Sequence, residues 1–315
     1  MPPPSPRSRT VRLLRLAAAV VLVLGAALLV RALLAPDWHG VAYADFEPTE
    51  IDQLRRLIDP ARLDRADLAR RVASARFLLV GETHFKNETV AWLLGLLDEL
   101  GGGRSLVLLL ELPRSAQGAI DAYLDSGDER HFAGIWGEHE ALPYHPILRW
   151  TRAHRERVAR VIAFDEERWR TVVARALLDD TRNETMAAAL ATAAAEHPAA
   201  RIVAYGGSMH LMLAGRYRFD VDNRRPAGAR LLELGVPRDE VVSIALDGDE
   251  MPLAPAWPGG TALDLRSAAG LLPYEYFHVY PIYRAARIGE LHDYFVQLGP
   301  LTGIEPWRPP GAATD

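Results

Sequence analysis

From Phe77 onward the chain alternates short, almost purely apolar runs with longer stretches of helical spacing. The runs are Phe77 to Val80, Leu106 to Leu112, Val158 to Phe164, Arg201 to Tyr205 and Val241 to Leu246. They lack the in-out alternation of a half-exposed strand, as expected for parallel strands covered on both faces. Between them lie helical patterns: Val90, Leu93, Leu94 and Leu97 before the glycines 101–103, then Ser115 to Leu124, then an alanine-rich segment from Glu166 to Glu196 that Pro198 stops. Strand–helix alternation predicts βαβ units, hence an α/β fold with a mostly parallel sheet flanked by helices. Upstream, Ile51 to Val72 has helical spacing, with Ile51, Leu54, Leu57 and Ile58 on one face. Asp128 to Trp150 is irregular and reads as a cap. Near the C-terminus, Tyr276 to Tyr283 and Tyr294 to Leu298 suggest antiparallel edge strands. The expected division is an N-terminal segment 1–36, a linker and helix 37–72, an α/β domain 73–300 and a disordered tail 301–315.

The N-terminus has its own pattern. Leu16 to Val30 is an apolar run preceded by Arg7, Arg9, Arg12 and Arg15 and by no acidic residue. Positive charge on that side predicts a cytoplasmic N-terminus with the remainder exported, through an anchor or a cleaved signal ending near Ala35. Composition changes little else. With 49% hydrophobic and 24% charged residues the chain is an ordinary globular one. A net charge of -5 without a basic tract argues against nucleic-acid binding. The absence of cysteine excludes disulfides, thiolate metal sites and cysteine nucleophiles. Oligomeric state leaves no mark in the sequence.

The chemistry gathers where the strands end. Gly81-Glu82-Thr83-His84 and Gly207-Ser208-Met209-His210 are two turns of the same Gly-x-x-His form, each just after a predicted strand. In a parallel sheet the carboxyl ends of strands line the ligand crevice, so the two imidazoles are expected to meet. Glu111 ends the second strand and Asp165 the third, the latter expected behind the others. Arg182 lies on the alanine-rich helical segment, from which an arginine can reach the crevice. Two readings are open. His84, His210, Glu82 and Glu111 form an N/O donor set suited to Mn, Co, Zn or Fe. Alternatively one histidine takes a proton from water while a carboxylate fixes its tautomer, with Arg182 or the amides of Ser208 and Met209 stabilising an oxyanion. Glu111 has a plainer reading as a helix cap, and Arg182 as a partner of Asp179 or Glu184. His131, His139, His145 and His154 are expected in surface or cap roles.

Six segments together resemble the ChaN-like domain, in the superfamily that also holds the TraB and Tiki proteins and the erythromycin esterases. They are LLVGETH, ending at His84; LELP, containing Glu111; YHPILRW from Tyr144; RVIAFD, ending at Asp165; RNETMA from Arg182; and YGGSMH, ending at His210. The Gly-Glu-x-His spacing is more like ChaN and Tiki, whereas AIDAYLDSGD from Ala119 is more like the esterases. The resemblance implies a crevice formed by Glu82, His84, Glu111, Arg182 and His210. It leaves open an ester or amide hydrolase acting on a small molecule or peptide, with or without a divalent metal, and a non-catalytic haem or iron binder. For haem, Tyr205 and Tyr217 are the nearby tyrosines.

Overall fold

The computed structural model describes residues 46–136, 143–166, 181–219, 222–257, 259–277, 287–305 and a few shorter stretches. Two units separate, Met1–Trp38 and His39–Asp315. In the first, only short helical stretches at 21–22 and 24–26 and the strand residue Trp38 are described. Among the described residues no helix is long and apolar enough to cross a membrane; most of the Leu16 to Val30 run lies outside them.

The second unit is built on an eight-stranded sheet. In chain order its strands are β1 (Arg62–Leu63), β2 (Phe77–Glu82), β3 (Leu106–Pro113), β4 (Val158–Asp165), β5 (Arg201–Gly207), β6 (Val241–Asp247), β7 (Thr261–Asp264) and β8 (Tyr294–Gln297). Across the sheet they run β1-β7-β8-β6-β2-β5-β3-β4. From β8 to β4 every pairing is parallel, and β7 is antiparallel to both β8 and β1. The fold is thus the predicted α/β arrangement, and all five predicted central strands are present. Both faces are covered. Leu78 and Val80 of β2 pack under α3 (Asn87–Glu99), α4 (Gln117–Ser126) and α5 (His145–Ala153). Phe77 and Leu79, one residue out of phase, pack on α6 (Thr181–Glu196) and α7 (Ala227–Glu233). Period-two side chains buried on both sides explain why the strand sequences show no polar alternation.

Several expectations change. Tyr294–Gln297 is no edge: β8 lies between β6 and β7, which together with β1 extends the sheet. Consequently the 37–72 segment is not a mere lead-in. Its helix α1 (Pro48–Ile58), opened by a capping box between Glu47 and Glu50, sets Ile58 into a cluster with Trp257, Phe277 and Phe295, and its residues 62–63 are β1. Tyr274–Tyr276 is a 3₁₀ turn, and Ile282–Tyr283 pairs with Arg216–Tyr217 in a ladder apart from the main sheet. The cap segment is more ordered than expected. Glu129–Trp136 is helical, α5 follows, and Phe132, Ile147 and Leu148 are fully buried; residues 137–142 lie outside the described ones. Residues 302–304, assigned to the tail, are hydrogen-bonded onto the start of α3. Of the long alanine-rich helix, 167–180 are outside the described residues.

Candidate active site

Two adjacent glycines mould the crevice. Strand register sets Gly81 opposite Gly206 and Glu82 opposite Gly207 across β2–β5, while Leu110 of β3 lies opposite Tyr205 on the other side of β5. A Cβ at Gly206 would come within 2.6 Å of Glu111 Oε2, and one at Gly207 within 2.9 Å of His84 Nε2. The missing side chains on β5 are therefore the space that the neighbouring strands' functional groups occupy. The β3–β4 register slips between Leu110 and Pro113, bending β3 where Glu111 leaves it.

Glu82 is buried and fully engaged. His84 Nδ1 donates to its Oε1 at 3.0 Å, the Tyr144 hydroxyl donates to the same oxygen, and the Thr89 hydroxyl donates to Oε2 at 3.2 Å. Because an ionised carboxylate only accepts, this bond fixes the proton of neutral His84 on Nδ1 and leaves Nε2 to accept. Tyr144 is held well above the ordinary tyrosine range by burial and then by the Glu82 and Glu111 charges, so it stays a donor. Its ring packs against that of Tyr205 with centroids 5.2 Å apart.

Glu111 forms the second node. Its Oε1 accepts from Arg182 Nη2 at 2.5 Å and its Oε2 from the Gly207 amide at 2.6 Å. Arg182 also grips Asp165 in bidentate fashion, Nε to Oδ1 at 2.6 Å and Nη2 to Oδ2 at 2.7 Å. Asp165 thus stands behind Arg182, and Glu111 is a ligand of the arginine rather than a helix cap. The next residue, Asn183, accepts from His210 Nδ1 at 2.6 Å, aiming His210 Nε2 at Glu111 Oε1, 3.6 Å away. His84 Nε2 lies 4.0 Å from the same oxygen. All five predicted residues, Glu82, His84, Glu111, Arg182 and His210, therefore converge.

The charge balance sets the behaviour of His84. Three carboxylates face one guanidinium here. Burial disfavours the imidazolium, but the Glu111 charge and the Glu82 hydrogen bond and charge outweigh it, and the pKa rises to about 8 even though Arg182 opposes them. With 35% of its side chain exposed, His84 is the member of the cluster open to a substrate; Glu82, Glu111 and His210 are buried.

The proposed metal donors do not build a cation cage. Each oxygen of Glu82 and Glu111 already accepts a hydrogen bond, and the Arg182 guanidinium lies against Glu111 Oε1. Among the described residues no group of three or more His, Asp or Glu side chains is set to hold a metal ion. For haem, Tyr205 is 1% exposed, covered rather than presented to a large planar ligand, and the side chain of Tyr217 is outside the described residues.

Sequence reasoning missed Tyr144, Thr89 and Asn183. Tyr144 opens the YHPILRW segment and Asn183 follows Arg182, so both sat inside quoted motifs without a role. His145 is buried edge-on to Trp136 and His154 stacks on Trp150 with centroids 4.4 Å apart, packing roles in keeping with the cap. His139 lies outside the described residues. A Ser243–His292–Asp293 group has the composition of a nucleophile triad, but all three are buried and the Ser243 hydroxyl donates to the Leu211 carbonyl at 2.8 Å. It ties β6 to the chain after β5. A separate cavity of about 670 Å³, walled by Phe46, Met251 and Trp257 and rimmed by Asp249 and Glu250, contains none of the crevice residues.

No family model and no curated protein matches the chain. Solved structures do. An erythromycin esterase mutant in its open conformation is similar at 13% identity and a TM-score of 0.56, covering 85% of this chain and 99% of the other. A Bacillus cereus protein is similar at 12% identity and a TM-score of 0.58, with 84% and 100% covered. A succinoglycan biosynthesis protein is similar at 11% identity and a TM-score of 0.56, with 82% and 100% covered. At such identities the likeness is one of fold: the chain shares the architecture of these three structures.

Proposed function

We propose that the chain is a hydrolase of ester or amide bonds in which His84 is the general base. The observation that carries this reading is the Glu82–His84 pair, with Nδ1 tied down at 3.0 Å and Nε2 left free of that bond, facing Gly207 and Glu111 in a side chain that is 35% exposed. In the proposed reaction a water bridging His84 Nε2 and the substrate carbonyl gives its proton to Nε2 as its oxygen bonds to carbon. The carbonyl electron pair moves onto oxygen, where the amides of the Ser208–Met209 turn or Arg182 are the donors. Collapse breaks the carbon–oxygen or carbon–nitrogen bond, and the leaving group takes the proton back from Nε2. Glu82 keeps the tautomer. Arg182 neutralises Glu111, so that the buried carboxylate can accept from the Gly207 amide and orient the turn. No step is routed through a metal or haem.

The fold likeness to an erythromycin esterase supports this reading without naming a substrate. The proposal includes export, with residues 1–36 as anchor or signal, on the strength of the arginine asymmetry there. The test is turnover of a panel of ester and peptide substrates by the parent and by His84→Ala, alongside metal analysis and an absorbance spectrum. Loss of turnover by a folded His84→Ala, about 10²–10⁴-fold for a general base, supports the assignment. Equal turnover by the two proteins rejects it. A Soret band in inactive protein would favour haem binding, and stoichiometric metal required for turnover would replace the metal-free route.

A further inference from the structure

Immediately after His84 the chain does something costly. Phe85 has φ 63°, and it is the one non-glycine with positive φ among the described residues. The left-handed region is disfavoured for residues with a Cβ, and glycine or asparagine would occupy it with less strain. Its ring does not compensate by burial, since the residue is 49% exposed. The backbone here is instead hydrogen-bonded to the segment 302–304. The Phe85 carbonyl accepts from the Ile304 amide at 2.9 Å and the Asn87 amide donates to the Thr302 carbonyl at 3.0 Å. Asn87 Nδ2 donates to the Gly303 carbonyl at 2.8 Å, and Glu88 accepts from the Thr302 amide and hydroxyl at 2.8 and 2.6 Å. A lone exposed aromatic needs no explanation. An exposed aromatic clamped in a strained backbone next to the proposed base does, because retained strain clusters at ligand clamps. The Phe85 ring meets the His84 ring edge-on, with centroids 6.1 Å apart at 67°.

We propose that Phe85 is the specificity-determining wall of the crevice, selecting ligands that carry an apolar chain or ring next to the carbonyl seated at His84. The proposal rests on the hydrolase reading for its substrate, and its ligand preference is measurable without turnover.

The experiment compares the parent with Phe85→Asn and Phe85→Gly, both suited to positive φ. Three quantities are measured: the ratio of kcat/KM for p-nitrophenyl hexanoate to that for p-nitrophenyl acetate, the affinity for hexanoate relative to acetate by NMR titration, and Tm. The expected result is a hexanoyl preference in the parent that falls about tenfold or more in both variants, the scale of discrimination that apolar contacts supply, with Tm unchanged or higher because strain is relieved. An unchanged hexanoate-to-acetate ratio in the variants overturns the proposal. So does a parent with no hexanoyl preference. If the parent turns over neither ester, the hydrolase reading fails and the binding ratio alone decides: tighter hexanoate binding lost in Phe85→Asn upholds the wall, and equal or absent binding refutes it.

Discussion

Gly207→Ala isolates the space between the imidazoles from the stability of the fold. Gly207 has φ -53° and ψ 132°, a backbone that alanine adopts freely, so glycine is not required there by conformation. What the methyl would meet is the site: His84 Nε2 at 2.9 Å, His84 Cε1 at 3.0 Å and His210 Cδ2 at 3.5 Å. Non-bonded heavy atoms settle near about 3.5–4.0 Å, so the His84 ring must retreat by roughly 0.5–1 Å. It can swing outward, being partly exposed, but its Nδ1 bond to Glu82 is already 3.0 Å long and that retreat stretches it past useful range. Overpacking costs about 1–3 kcal/mol in a closed core, and here sits at the low end because the neighbour can yield. Removing a glycine from the unfolded chain returns about 0.4–1 kcal/mol. Stability should therefore stay within about 1 kcal/mol of the parent. A misplacement of about 1 Å at a reacting group costs on the order of 10²-fold in rate. The assay is kcat/KM on whichever ester the parent cleaves, with Tm from thermal unfolding. A Gly207→Ala protein that keeps its fold and turns over within threefold of the parent would refute the placement of the reaction between the two histidines.

Because His84 must be neutral to accept a proton and its pKa lies near 8, kcat/KM should rise with pH, reaching only about a tenth of its plateau at pH 7; a flat profile from pH 6 to 9 would contradict the assignment. The sign for stability is opposite: the folded pKa lies above the unfolded one, so His84's contribution is full below about pH 6.5 and is lost as pH rises through 8. Arg182→Met should leave the buried Glu111 and the partly buried Asp165 without their cation, at about 3 kcal/mol by denaturant unfolding, and Arg182→Lys should recover little because a point charge cannot reproduce the bidentate grip. Tyr144→Phe removes one donor from Glu82 Oε1 and should lower stability by about 1 kcal/mol and kcat several-fold with KM little changed; a KM effect alone would assign Tyr144 to substrate binding instead.

What could be read from the sequence followed burial. Strands β2 to β6 announce themselves because a parallel strand covered on both faces is a continuous apolar run. The site residues that end such runs, Glu82, His84, Glu111 and His210, were placed by the same logic. Strands β1 and β7 were not legible, since two to four residues carry no periodicity and owe their form to pairing alone. For the same reason β8 read as an edge: nothing in Tyr294 to Gln297 says that Thr261–Asp264 will lie beside it. Arg182 was found as a residue, but its grip on Glu111 and Asp165 was not foreseen, because a helix face does not reveal which neighbour it will meet. Tyr144 reaches Glu82 from 62 positions away in sequence, out of the irregular stretch Asp128 to Trp150, and its place at the start of α5 brings it there.

Arg182 and Asn183 are consecutive on α6, so they leave the helix about 100° apart, yet one grips the carboxylate of β3 and the other the imidazole that follows β5. The helix is in effect a single key turned in two locks. A displacement of α6 as a rigid body therefore bears on both contacts. The two halves of the crevice thus share one support, and the position of this helix sets both.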